Sequence, residues 1–131
     1  MDEFAITPTP DEHSPTGVYI PSDLQDCFLE LDRILPSDIC EGMRTCSEAD
    51  LLHQHFGLGI WMRNNWGLWL PDSRLKQFFD GLGVRDADSV SSLILASYWR
   101  YLNGLPLELS RQIVYDKIMR DEIKNGPGPS N

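Results

Sequence analysis

From Leu24 to Ile123 the large apolar residues recur every three or four positions, a spacing that confines the chain to helices. Strand-like alternation is limited to Gly17-Val18-Tyr19-Ile20. Breaks in the helical pattern fall on stop and start residues. A Ser22/Gln25 capping box opens a first helix carrying Leu24, Cys27, Phe28, Leu31, Ile34 and Leu35, and Pro36 closes it. Ser37 and Ser47 cap two short successors, the second ended by Gly57 in a left-handed turn. A helix from Leu58 then sets Trp61, Met62, Asn65, Trp66 and Trp69 on one stripe. Pro71-Asp72-Ser73 turns the chain into a helix with Leu75, Phe78, Phe79 and Leu82, which stops before Gly83. Asp86 or Asp88 begins the longest helix, through Tyr101, with Asn103-Gly104 as its stop. A last helix from Glu108 to near Ile123 carries Ile113, Val114, Lys117 and Ile118 on one side.

These segments predict an all-α fold, a compact single domain of six or seven short helices. The helix from Val90 is apolar nearly all round, with Leu93, Ile94, Leu95, Tyr98, Trp99 and Leu102, so it belongs at the centre. Residues 1–18, rich in Pro, Thr, Asp and Glu, predict a flexible arm ahead of a helical domain over 19–124. The end, Asn125-Gly-Pro-Gly-Pro-Ser-Asn131, cannot continue a helix and predicts a disordered tail over 125–131.

At 131 residues the chain can bury a real core without staples. Its net charge of −9 argues against nucleic acid, which needs clustered Lys and Arg to displace counterions, and against an anionic membrane surface. The same charge would speed association with a basic protein. The helix face bearing Asp23, Asp26, Glu30 and Asp32 reads as solvated, and as the place where such a partner would dock. No apolar run approaches the roughly eighteen residues of a membrane span, and the first residues lack the basic-then-apolar order of a signal peptide. Three cysteines, none in a CxxC, fit a reducing cytoplasm.

No cofactor or metal is implied. Cys40, Cys46, His53 and His55 are spaced like no common closed zinc site, and residues two apart on a helix diverge. Cys46 with His53 or His55 is a candidate nucleophile and base, but no nucleophile elbow or cysteine-protease signature surrounds it. Gly57-Leu-Gly59 and Gly81-Leu-Gly83 follow no strand and precede no Gly-Lys-Ser/Thr, so they are not phosphate loops. Asp86 with Asp88, and Asp121 with Glu122, read as caps and solvated face rather than acid/base pairs.

The segment His55 to Trp69, HFGLGIWMRNNWGLW, packs three tryptophans, three glycines and an Arg-Asn-Asn triplet into about four helical turns. One reading is structural: the rings form core, the glycines allow close approach, and the polar groups tie loop carbonyls. The other makes Arg63, Asn64, Asn65, Trp66, Trp69 and Arg74 a recognition patch, since tryptophan and arginine dominate interface hot spots. Asn65, set inside the apolar stripe, must be hydrogen-bonded either way, because a buried unpaired amide costs about 1–3 kcal/mol.

The run FGLGIWMRNNWGLW, then SRLKQFF, then DSVSSLILASYWRYLNG resembles a small bacterial domain family of unknown function, over roughly Ile20 to Lys117. The resemblance implies a bacterial or phage-borne cytoplasmic protein and supplies no activity, cofactor or catalytic residue. The expected function is a non-enzymatic acidic protein-binding module, immunity- or antitoxin-like, docking a basic partner. The alternative is a small-ligand or enzymatic pocket on His55–Trp69, with Asn65, Arg63 and His55 orienting a polar or anionic ligand. A homodimer through the same patch is a third possibility.

Overall fold

The computed structural model describes residues 6–125. Within them seven helices follow one another: α1 (Leu24–Ile34), α2 (Ser37–Thr45), α3 (Glu48–Gln54), α4 (Phe56–Asn65), α5 (Arg74–Gly81), α6 (Ala87–Leu102) and α7 (Leu109–Asn125). The fold is all-α, as the apolar spacing predicts. α6 takes the centre, with α1, α2, α3, α4 and α7 packed against it. Leu31, Met43, Leu51, Met62, Phe79 and Ile94 are fully buried around it. α7, at 17 residues, exceeds α6 at 16, so the longest helix is the last one. No helix among the described residues is long and apolar enough to cross a membrane.

Helix starts follow the capping chemistry, with two shifts. Ser47, Ser73 and Asp86 each accept the amide three residues on, from Asp50, Lys76 and Ser89. At α1 the cap lies one residue beyond Ser22: the Asp23 carboxylate accepts the Asp26 amide at 2.8 Å. Asp26 reaches back to the Ser22 amide at 2.9 Å, and Tyr19 donates its phenol to the same carboxylate at 2.6 Å. A charged acceptor shared by three donors outcompetes the neutral Ser22/Gln25 pair. Ser37 is the first residue of α2 rather than its cap; Pro36 holds that position and offers no side-chain acceptor.

The acidic face of α1 therefore has structural work of its own. Asp23 and Asp26 hold the helix start, and Glu30 is 2% exposed beneath Arg33, its ion-pair partner. Asp32 accepts Tyr98 at 2.7 Å and Tyr101 at 2.8 Å from α6. Burial pushes the Asp26 carboxyl up, but the hydrogen bonds from Tyr19 and Ser22 and the nearby Arg74 guanidinium outweigh it and hold it below the usual carboxylate range.

Residues 9–19, which the composition assigns to an arm, close a loop on themselves. The Tyr19 amide donates to Thr9 at 2.8 Å, the Asp11 amide donates to Gly17 at 3.0 Å, and Pro10 bridges Val18. Thr16 then ties this loop to α4 through the Asn65 carbonyl at 2.5 Å. At the other end α7 continues through Asn125, and residues 126–131 of the expected tail lie outside the described residues.

Candidate functional site

The stripe predicted from Leu58 through Trp69 stops at Asn65, and Gly67 is the reason. It adopts φ +69° after the Trp66 cap, and the Leu68 amide closes back on the Arg63 carbonyl at 3.2 Å. A side chain there would meet the Ser73 Cβ at 3.0 Å, so Gly67→Ala should lower stability by about 1–2 kcal/mol, read as a shift of the urea midpoint. Gly57, the expected stop, lies instead inside the first turn of α4. The α3–α4 junction falls at His55, whose amide caps α3 on Leu51 and whose carbonyl accepts the amides of Leu58 and Gly59.

Ending the helix at Asn65 scatters the six predicted site residues. Trp66 is 0% exposed and belongs to the core, its ring edge-on to Trp61 at 5.8 Å. That burial removes it from any contact face. Arg63 also leaves the face: its guanidinium donates to the Ser91 hydroxyl at 2.8 Å and pairs with Asp88 at 3.3 Å, tying α4 to α6. Gly59, one turn earlier, lies against the same place, with the Arg63 guanidinium, Leu95 and Ser91 all within 4 Å of where its Cβ would be. Asn65 is half-buried and donates its amide to the Trp61 carbonyl at 2.9 Å, the partner its place in the stripe demands. Arg74 is exposed but committed, donating to the Ile20 carbonyl at 2.8 Å with its guanidinium over the Tyr19 ring.

Asn64 and Trp69 remain together on the surface. The indole of Trp69 is 61% exposed and donates to the Asn64 amide oxygen at 3.1 Å, which fixes the ring beside the end of α4. Ile60 lies one turn before Asn64 and Phe56 one turn before Ile60, and both are exposed, Phe56 at 65%. Phe56, Ile60, Asn64 and Trp69 therefore form one strip along α4 and into the following turn. Leu52 at the end of α3 and Leu70 beside Trp69 are exposed too. Phe56 and Ile60 escape a search for rings beside arginines. Their spacing of four, out of phase with the buried Leu58 and Met62, is the signal that exposes them.

A second polar cluster links three helices. Burial pushes the Tyr98 phenol far above its ordinary range, as do its contacts with Cys40 at 3.5 Å and Asp32. Phe28 stacks on Tyr101 at 4.8 Å beneath it. Neutral phenols held on one carboxylate make a clamp between α1 and α6, not an acid/base pair. Cys46, the candidate nucleophile, donates its thiol to the Met43 carbonyl at 3.3 Å, and burial together with Asp50 pushes the thiol up. A thiol held protonated in this way is a poor nucleophile at neutral pH. Cys27, Cys40 and Cys46 form no disulfide, and no three His, Cys, Asp or Glu groups among the described residues cluster to hold a metal.

Clefts on the described surface include two away from the strip. One of about 450 Å³ runs between α3, α6 and α7, floored by Leu52, Val84, Leu93 and Ile113. The other, about 400 Å³, lies between the 9–19 loop and Arg74. Neither is lined by Trp61 or Trp66.

A family model for a domain of unknown function (DUF6794) matches residues 20–102. The chain belongs to this family. The matched region begins at Ile20, just ahead of α1, and ends with Leu102, the last residue of α6. The family domain is thus α1–α6 with the aromatic strip, and α7 lies beyond the match. No curated protein and no solved structure matches the chain.

Proposed function

We propose that this member of the family is a non-enzymatic protein-binding module whose contact face is the strip Phe56, Ile60, Asn64 and Trp69. The observation that carries the reading is the wet aromatic surface: Phe56 and Trp69 are each more than half exposed, and the Trp69 indole is fixed by Asn64. Exposed apolar strips of this kind mark interaction sites, and a half-fixed indole is a ready anchor. The partner is basic. With α1's carboxylates holding hydrogen bonds within the domain, the exposed Asp72, three residues after Trp69, and the exposed Asp50 on α3 add negative charge to the surface. A partner presenting an apolar pocket rimmed by Lys or Arg would match both features.

In its finer form the module is immunity- or antitoxin-like, acting in a bacterial cytoplasm and covering the basic surface of a toxin or nuclease. The three unpaired thiols fit that compartment. The ligand-pocket alternative has less support, because Arg63 and Asn65 are satisfied within the domain.

Trp69→Ser with Phe56→Ser tests the reading. Both side chains are surface groups, so thermal stability should stay within about 0.5 kcal/mol. Capture of a basic partner at low salt should be lost in the double variant, and wild-type capture should weaken as salt rises. Undiminished capture by the double variant, or an acidic partner, would sink it.

A further inference from the structure

Among the described residues, α7 makes its polar contacts with the domain through one side. Gln112 donates to Ser97 and to the Leu107 carbonyl, Asp116 accepts from Ser89, Arg120 pairs with Asp86 at 2.9 Å, and Lys117 lies over Gly83. These residues, with the half-buried Ile113, define the inward side. The outer side carries Arg111, Val114, Tyr115, Ile118 and Glu122, all exposed, with Val114, Tyr115 and Ile118 each more than half so; Arg111 and Tyr115 also rim the cleft between α3, α6 and α7, and Arg111 pairs with the exposed Glu108 at 3.5 Å. Arg111, Tyr115, Ile118 and Glu122 are spaced by four, three and four, the seam spacing of a two-helix coil.

We propose that this outward seam of α7 pairs antiparallel with α7 of a second copy of the chain. Charge complementarity selects that occupant. With the two-fold axis between residues 116 and 117, Tyr115 faces Ile118 of the second copy, Val114 faces Met119, and Arg111 faces Glu122. The seam is self-complementary, and the symmetry repeats every pairing twice. A parallel pair would instead set Arg111 against Arg111 and Glu122 against Glu122. Asp116 and Lys117, nearest the axis, are turned inward to Ser89 and Gly83 and bring no like charge into it. A single helix pair buries less than the roughly 800 Å² per partner of a standard interface, so the dimer should dissociate on dilution within the concentration series. The surface is separate from the Trp69 strip, so the two readings stand or fall apart.

Sedimentation velocity of the full chain over a concentration series at low salt is the test, with far-UV circular dichroism confirming that each variant is folded. The wild type should pass from monomer to dimer, and Trp69→Ser should leave the transition in place. Arg111→Glu or Glu122→Arg alone should weaken dimerisation at least about tenfold. The double variant should recover it, and an equal mixture of the two single variants should dimerise as a heteropair. Ile118→Asp should abolish it. A wild type that stays monomeric throughout, a dimer indifferent to the single charge reversals, or single variants that fail to pair when mixed would each overturn the proposal.

Discussion

Trp66→Ala should destabilise the domain by about 3–5 kcal/mol, a large part of the roughly 5–15 kcal/mol available to a domain of this kind. Trp66 is fully enclosed, wedged at the end of α4, and its carbonyl accepts the Ser73 hydroxyl that also caps α5. Removing the ring opens a cavity where α4, the Gly67 turn and α5 meet, and the 9–19 loop loses a firm seat at Asn65. The indole Nε1 has no hydrogen-bond partner among the described residues. Trp66→Phe deletes that unpaired donor along with part of the ring, so it should cost clearly less than alanine. Urea unfolding of both variants checks the order. An alanine variant within about 1 kcal/mol of wild type would show that the site collapses freely and that the ring is not the keystone of this corner.

Asp32→Ala should cost about 2–3 kcal/mol, because it strands the buried Tyr98 phenol and frees Tyr101 at once. Asp32→Asn, which keeps an acceptor without the charge, should recover about half of that. The same clamp makes stability depend on alkaline pH. Burial raises Tyr98, and the Asp32 hydrogen bond raises Tyr101, above the ordinary phenol value of 10.0. The folded protein therefore holds these protons after the unfolded chain has released them. Their contribution is complete below that value and is lost as pH rises past it. The urea midpoint should fall between about pH 8 and about pH 10.5 in the wild type and fall less in Asp32→Ala. Absorbance of phenolate should show these tyrosines ionising late, together with unfolding. A midpoint flat across that range would mean the clamp does not couple to folding.

Helix existence and the place of α6 were readable because each rests on repetition: apolar residues recurring in phase, six of them in the first segment, with stops such as Asn103-Gly104, where Gly104 takes φ +68° and Leu105 closes on Arg100. The site was harder because it depends on single residues. Whether Gly57 or Gly67 ends a helix cannot be decided by composition. Either can adopt the left-handed turn, and the burial of Trp66 and Leu68, with the Ser73 hydroxyl on the Trp66 carbonyl, tips the balance to Gly67. Once the helix ends there, Trp66 goes inward and Trp69 outward, although a continuous stripe would have kept them together. The acidic residues of α1 misled for a related reason. Their spacing looks like a wet face, and their partners Tyr19, Tyr98 and Tyr101 lie on other elements, Tyr98 and Tyr101 more than sixty residues away. The closed 9–19 loop was hidden because its bonds are between backbone groups, which Pro-rich composition does not reveal.

Among the four tryptophans, Trp66 and Trp69, three residues apart, mark the two extremes of exposure as optical reporters. Trp69 should emit toward the red and be quenched readily by acrylamide, while Trp66 should emit toward the blue and resist quenching until the fold opens. Occupancy of the Phe56–Trp69 strip by any binder should then protect the quenchable fraction alone. Binding can be followed in unlabelled protein as the difference between the wild type and Trp69→Phe, which keeps Trp61, Trp66 and Trp99 as reporters of unfolding.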